Sequence, residues 1–260
     1  MEPVEFLGIV LFQRPYKDRD ALLKIFTRSK GKRMFFVKNL KSPNHFLKRA
    51  CFPMARATYI GQINAHGFSF LNEVKTCYFP KQVQVDIEAN AYASYLAHLV
   101  DASLEEGEVD EGLFDKLWQA LEKIEEGNDS MVIANILEVQ LLPKFGVDPH
   151  LKSCVFCQRD QGIFDYSVRY DGLICQDHFS RDPKRSHWSA RAAHFIRIFS
   201  QLDYEAIQSI SLNGKTKREI RQAIDSLYQE YVGLSLKSKS FIDKLINFDN
   251  PLDDSYSSKV

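Results

Sequence analysis

Four residues carry the spacing of a metal clip: Cys154, Cys157, Cys175 and His178. They read C-x2-C, a gap of seventeen residues, then C-x2-H. Thiolates and a neutral imidazole are donors that Zn2+ accepts. Two close pairs on tight turns make a tetrahedral site once the strands between them bring the turns together. All four positions are filled by protein, so the pattern predicts a structural zinc and not a catalytic ion with an open position. His150 and His187 are the nearby alternatives for the histidine ligand. The H-x-E and P-C-x-x-C pairing of zinc deaminases is absent, as is H-E-x-x-H. No G-x-S-x-G, P-loop or G-x-G-x-x-G stands anywhere in the chain, so no catalytic residue is assigned.

A second constellation is electrostatic. Residues 1–80 hold fourteen Lys and Arg against five Asp and Glu, an excess of nine positive charges, while residues 81–260 hold twenty against twenty-nine. Such an asymmetry inside a chain of zero net charge points to a polyanion on the basic side. Arg14, Lys17, Arg19, Lys24, Arg28, Lys30, Lys32, Arg33, Lys38, Lys41, Lys48, Arg49 and Arg56 fall within 43 residues. Of these, Arg14, Arg28, Lys30, Lys32, Arg33, Lys38, Lys41, Lys48, Arg49 and Arg56 are the candidates for phosphate contact. The stretch from Arg28 to Phe36 mixes cations with aromatic rings, and rings can stack on unpaired bases. Phe35 and Phe36 alternatively pack into and beside a core.

The elements that must position these residues change character at Pro80. Before it, Phe6–Phe12, Leu22–Thr27, Arg33–Val37, Ala57–Ile60 and Phe68–Leu71 read as five short strands divided by turn residues. Five short strands in 80 residues suggest a small barrel or sandwich; a five-stranded OB-type barrel fits the count and length, as other small barrels also do. After it, Tyr92, Tyr95, Leu96, Leu99 and Val100 form a helical stripe, repeated by Leu113, Leu117, Leu121 and Ile124. Met131–Phe145 is apolar on most sides and predicts a buried helix. Ile163–Tyr170 alternates at period two, Asp171-Gly172 signals a hairpin turn, and Leu173-Ile174 begins the return strand. The seventeen-residue gap is therefore itself a predicted β-hairpin, as in a zinc ribbon. Thr216 and Glu219 read as a capping box, Ile220 to Tyr231 as a helix, and Gly233 as its end. The expected organisation is an OB-fold barrel over 1–80, a helical domain over 81–248 with a zinc ribbon at 150–181, and a flexible tail over 249–260. The fold class is α+β and multidomain.

Apolar residues make up 45% of the 260 and charged residues 26%, as in ordinary globular proteins. No apolar run approaches the ~20 residues of a membrane span. The N-terminus lacks the basic and apolar regions of a secretory signal. Five cysteines, three of them in the clip, suit a reducing cytoplasm. Cys51 and Cys77 read as packing residues.

The order of parts resembles the RecO family of bacterial DNA repair proteins. The resemblance rests on Gly8-Ile9-Val10-Leu11, on Asp20 to Thr27, on Gly31-Lys32-Arg33, on Asp101-Ala102-Ser103, on Leu141 to Gly146 running into the ribbon, and on Tyr231-Val232-Gly233. Many members carry cysteine where this chain has His178, and zinc accepts either. The resemblance implies a recombination mediator of the RecF pathway. Such a protein binds single- and double-stranded DNA without reading sequence and anneals complementary strands. It associates with RecR and with the C-terminal tail of single-stranded-DNA-binding protein, and it helps RecA to load. It would work in the cytoplasm, on the nucleoid. Two other readings stay open: an adaptor whose basic barrel takes acidic protein tails, and a metal-dependent nuclease or hydrolase.

Overall fold

The computed structural model describes residues 2–210 and 212–248; the tail expected over 249–260 lies outside them. The chain divides into two compact units. The first comprises 1–126 together with 235–260, and the second 127–234. Helices thus belong to both units.

In the first unit, strands β1 (Val4–Tyr16), β2 (Asp20–Thr27), β3 (Gly31–Val37), β4 (Arg56–Gln62) and β5 (Ser69–Tyr78) close into a barrel of order β1-β2-β3-β5-β4. All neighbours are antiparallel except β3 and β5. This is the OB-type barrel. All five expected strands are present, and β5 runs seven residues beyond Leu71. Its extension is exposed apart from Val74, which packs against the barrel core, so it carries no apolar run to signal it. Alternation places Phe6, Val10, Leu23, Ile25, Phe35 and Tyr59 in the barrel core. The Tyr59 hydroxyl donates to the Ala50 carbonyl at 2.5 Å, tying the 38–55 connection to the barrel.

Helices α1 (Lys81–Val85), α2 (Ile87–Ser103) and α3 (Glu111–Glu125) follow, and α7 (Lys237–Phe248) returns to pack on α2. Asp86 and Asp110 cap α2 and α3 by accepting the backbone N–H of Ala89 and Leu113. The two predicted stripes are buried throughout. Phe26 turns outward from the barrel and meets Phe114 of α3 edge-on at 5.4 Å. Between α2 and α3, the loop at Gly107 lies so close to β3 that a Cβ on Gly31 would sit 2.2 Å from the Glu108 carbonyl oxygen. Gly31 also holds φ +68°, a conformation that favours glycine.

In the second unit, α4 (Ser130–Leu141) is buried on nearly every side. A 3-10 turn (Leu142–Phe145) leads to a hairpin of β6 (Phe164–Ser167) and β7 (Gly172–Cys175). Helices α5 (Ala190–Phe199) and α6 (Gly214–Leu227) complete the unit. Arg221 of α6 reaches Glu138 of α4 through two hydrogen bonds, 2.5 and 3.0 Å, and Asn135 at 2.9 Å. Glu138 has no solvent exposure. The expected capping box is corrected here. Asn213 caps α6 by accepting the Thr216 N–H, Thr216 is buried, and Glu219 instead accepts from the Ser189 hydroxyl. The helix therefore starts three residues earlier than Thr216 suggested. Gly233 ends its final turn at φ +62°. No described helix is long and apolar enough to cross a membrane.

Candidate functional site

The hairpin brings the four clip residues together. The donor atoms of Cys154, Cys157, Cys175 and His178 all lie within 4.8 Å of one another. Cys157 Sγ is 3.8 Å from Cys175 Sγ, and His178 Nδ1 is 3.6 Å from Cys154 Sγ and 3.2 Å from Cys175 Sγ. A tetrahedral ion with Zn–S of about 2.3 Å and Zn–N of about 2.0 Å has donor–donor edges of roughly 3.5–3.8 Å, so the cluster is close to that size. The donor set is that of a soft-metal centre, and these residues could hold a metal ion.

Local backbone prepares the Cys154 thiolate. Burial pushes the Cys154 thiol up, but the N–H groups of Cys175, Cys157 and Phe156 aimed at its sulfur outweigh burial and bring it to about 6. Burial dominates at Cys175 and raises it. The His178 ring packs against Phe156 at 5.1 Å, which helps to hold Nδ1 towards the sulfurs. The alternatives are placed elsewhere. His150 Nε2 lies 2.8 Å from the Ser153 hydroxyl, and His187 lines a groove beside α6.

The basic run of the barrel does not form one track. Part of it turns towards the acidic α2–α3 segment. Lys32 is buried and contacts Asp101 through both carboxylate and carbonyl oxygens. Arg56 is buried between the rings of Tyr78 and Trp118, and donates to the Trp118 carbonyl and to Glu122 at 3.0 and 3.1 Å. Arg28 pairs with Asp115 at 2.9 Å and Glu111 at 2.7 Å. The Arg33 guanidinium lies against Gly107, where a Cβ would come within 2.6 Å of it. These four candidates join barrel to helices within the first unit.

The remaining six are exposed. Lys30 stands in the β2–β3 turn. Lys48 and Arg49 lie near the far end of β5, with Arg49 stacked on Phe79 at 4.9 Å. Lys41 reaches the β1–β2 turn and donates to the carbonyls of Lys17 and Asp18; Lys38 stands between Val37, paired with Ala21, and Asn39, whose N–H donates to Asp20; Arg14 lies two residues before the end of β1. Lys17 and Arg19 of that turn, which the candidate set passed over, are exposed too. Cys51 is buried in the barrel core, where burial pushes its thiol up to about 12; Cys77 is exposed.

Two family descriptions match nearly the whole chain: Recombination protein O N terminal over residues 1–79, and Recombination protein O C terminal over 84–240. The chain belongs to the RecO family. It is 46% identical over 248 residues to the DNA repair protein RecO of Enterococcus faecalis, covering 95% of each chain. It is 43% identical over 248 residues to that of Latilactobacillus sakei, with 95% of this chain and 91% of the relative covered. With that of Streptococcus mutans it shares 39% over 245 residues, 94% of this chain and 97% of the other. The N-terminal RecO match ends just past β5, at the close of the barrel, and the C-terminal match contains the ribbon.

Proposed function

We propose that this RecO family member acts in recombinational DNA repair by binding single- and double-stranded DNA, annealing complementary strands, and helping RecA to load on strands coated by single-stranded-DNA-binding protein. The observation that carries the DNA reading is the group of exposed cations at one end of the barrel: Arg14, Lys17, Arg19, Lys38 and Lys41. Among the described residues none of them is in an ion pair, and each offers charge to a phosphate. Flexible side chains at the surface follow a backbone without reading base edges. Screening two backbones on one surface lowers the repulsion that opposes annealing. The membership of the family and the DNA repair names of its relatives favour this reading over an adaptor for acidic tails.

Zn2+ would be held by Cys154, Cys157, Cys175 and His178, and would pin the ribbon to the helices of the second unit. With four protein ligands it would have a structural role. RecR and the tail of single-stranded-DNA-binding protein are the expected protein partners. The test is fluorescence anisotropy with labelled oligonucleotides over a salt series. Affinity should depend little on sequence and fall steeply between 50 and 200 mM salt, on the order of 10-fold or more. The variant K17E/K38E/K41E should flatten that slope. Unchanged affinity and slope in this variant would move the DNA site elsewhere, and negligible binding by the parent protein would favour the adaptor.

A further inference from the structure

The open side of the barrel carries aromatic rings that no core demands. Phe36 on β3 lies in register with Leu22 on β2 and Phe70 on β5, and Leu22 in turn with Arg14 on β1. Positions in register across a sheet share one face. Phe35, one residue earlier, points into the core with no exposure, so Phe36 points out. Tyr16 meets Phe36 at 5.9 Å and Phe68 at 6.1 Å, and Phe36 meets Phe68 at 6.3 Å and Phe70 at 6.2 Å. Phe68 and Phe70 are 39% and 41% exposed, respectively. Four neighbouring rings thus form one surface patch in the first unit.

The surroundings of the patch select its occupant. Lys17 stands 5.6 Å from the centre of the Tyr16 ring, and Arg14 sits on the Phe12 ring at 4.6 Å. Arg19 and Lys41 meet at the same turn, where the Lys41 N–H donates to the Arg19 carbonyl. Of the nearby carboxylates, Asp20 already accepts the Asn39 N–H, and Asp18 stands alone among the cations. Rings bordered by cations on one face match a chain whose backbone is anionic and whose bases present flat apolar faces. A duplex hides those faces in its own stack and can use the cations only.

We infer that Tyr16, Phe36, Phe68 and Phe70 form a stacking platform for the unpaired bases of single-stranded DNA, with Arg14 and Lys17 holding the adjoining phosphates. This rests on the DNA-binding reading of the barrel and adds to it a physical basis for telling single strands from duplexes.

The test compares a dT 20-mer with a hairpin-closed duplex, using the full chain and the variants F68A, F70A and F68A/F70A. Both positions are exposed, and thermal melting checks that the variants keep the parent fold. Each single alanine should weaken dT binding about 10-fold, with duplex binding changed less than about 2-fold. A separate variant, F70W, places an indole in the patch; its added fluorescence should be quenched by dT and not by the duplex. Equal losses for both ligands, or unchanged dT affinity with an unquenched indole, would overturn the platform and leave DNA binding by the cations intact. A parent protein that binds neither ligand would overturn the DNA reading and the platform together.

Discussion

Lys32 of β3 extends its ammonium to Asp101 of α2 and lies 3.1 Å from that carboxylate, in a contact almost closed to solvent on the lysine side. The most basic-looking segment of the chain therefore contributes one of its lysines to internal packing. Lys30, two residues earlier, is exposed. The two should respond oppositely to charge reversal. Lys32→Glu should cost about 3 kcal/mol or more, since it leaves Asp101 facing a second carboxylate in a largely closed site. Lys30→Glu should change stability by less than about 0.5 kcal/mol. Urea denaturation of the two variants reads the difference directly.

The clip predicts one metal per chain. Elemental analysis of protein purified without added metal should find about one zinc, and Cys157→Ser should lose it. Removing the ion frees the hairpin, whose two four-residue strands are too short to be stable alone. A loss of about 3 kcal/mol would lower Tm by roughly 5–10 °C. His178→Cys should keep both zinc and Tm, because either side chain completes the tetrahedron.

In the second unit, Arg221 and Glu138 stand or fall together. Arg221→Met leaves Glu138, which has no exposure, without its guanidinium and should cost about 3–5 kcal/mol. The double variant R221M/E138M removes both charges and should recover most of that loss. A double-mutant cycle measured by chemical denaturation gives the coupling.

His98 supplies a pH dependence. Burial makes its imidazolium unfavourable and lowers its pKa; Asp101 opposes this and Arg14 adds to it. The unfolded chain takes up the proton near the ordinary value of about 6.5, while the folded chain resists it. Stability should therefore be complete above that value and decline as pH falls from it towards the lower folded pKa. Denaturation curves between pH 7.5 and 5 should show the decline, and His98→Gln should make it shallower.

Much of this architecture was legible along the chain, and the exceptions share a cause. The strands at Phe6–Phe12 and Leu22–Thr27 announce themselves by apolar runs between turn residues, and the clip by spacing alone. Both are local signals. Which cations face solvent is not local. Lys30 and Lys32 look alike in sequence, and the end of α2 with the loop after it, some seventy residues on, separates their fates. The aromatic patch was hidden for the same reason. Phe36 drew notice beside the basic run, but its neighbours Tyr16, Phe68 and Phe70 arrive from β1, the connection before β5, and β5 itself. Thr216 and Glu219 have capping-box spacing, but Asn213, three residues earlier, accepts the Thr216 N–H and so starts α6 one step before that pair could act.

Along the sequence the second unit interrupts the first, which stops at residue 126 and resumes at 235. On the ribosome the barrel and α2 emerge early, but α7 can reach α2 only after every residue of the intervening unit has been made. A nascent or prematurely stopped chain therefore presents the α2 surface that α7 normally covers. A chain stopped before Lys237 lacks the helix that packs on α2 and leaves that surface open to proteolysis.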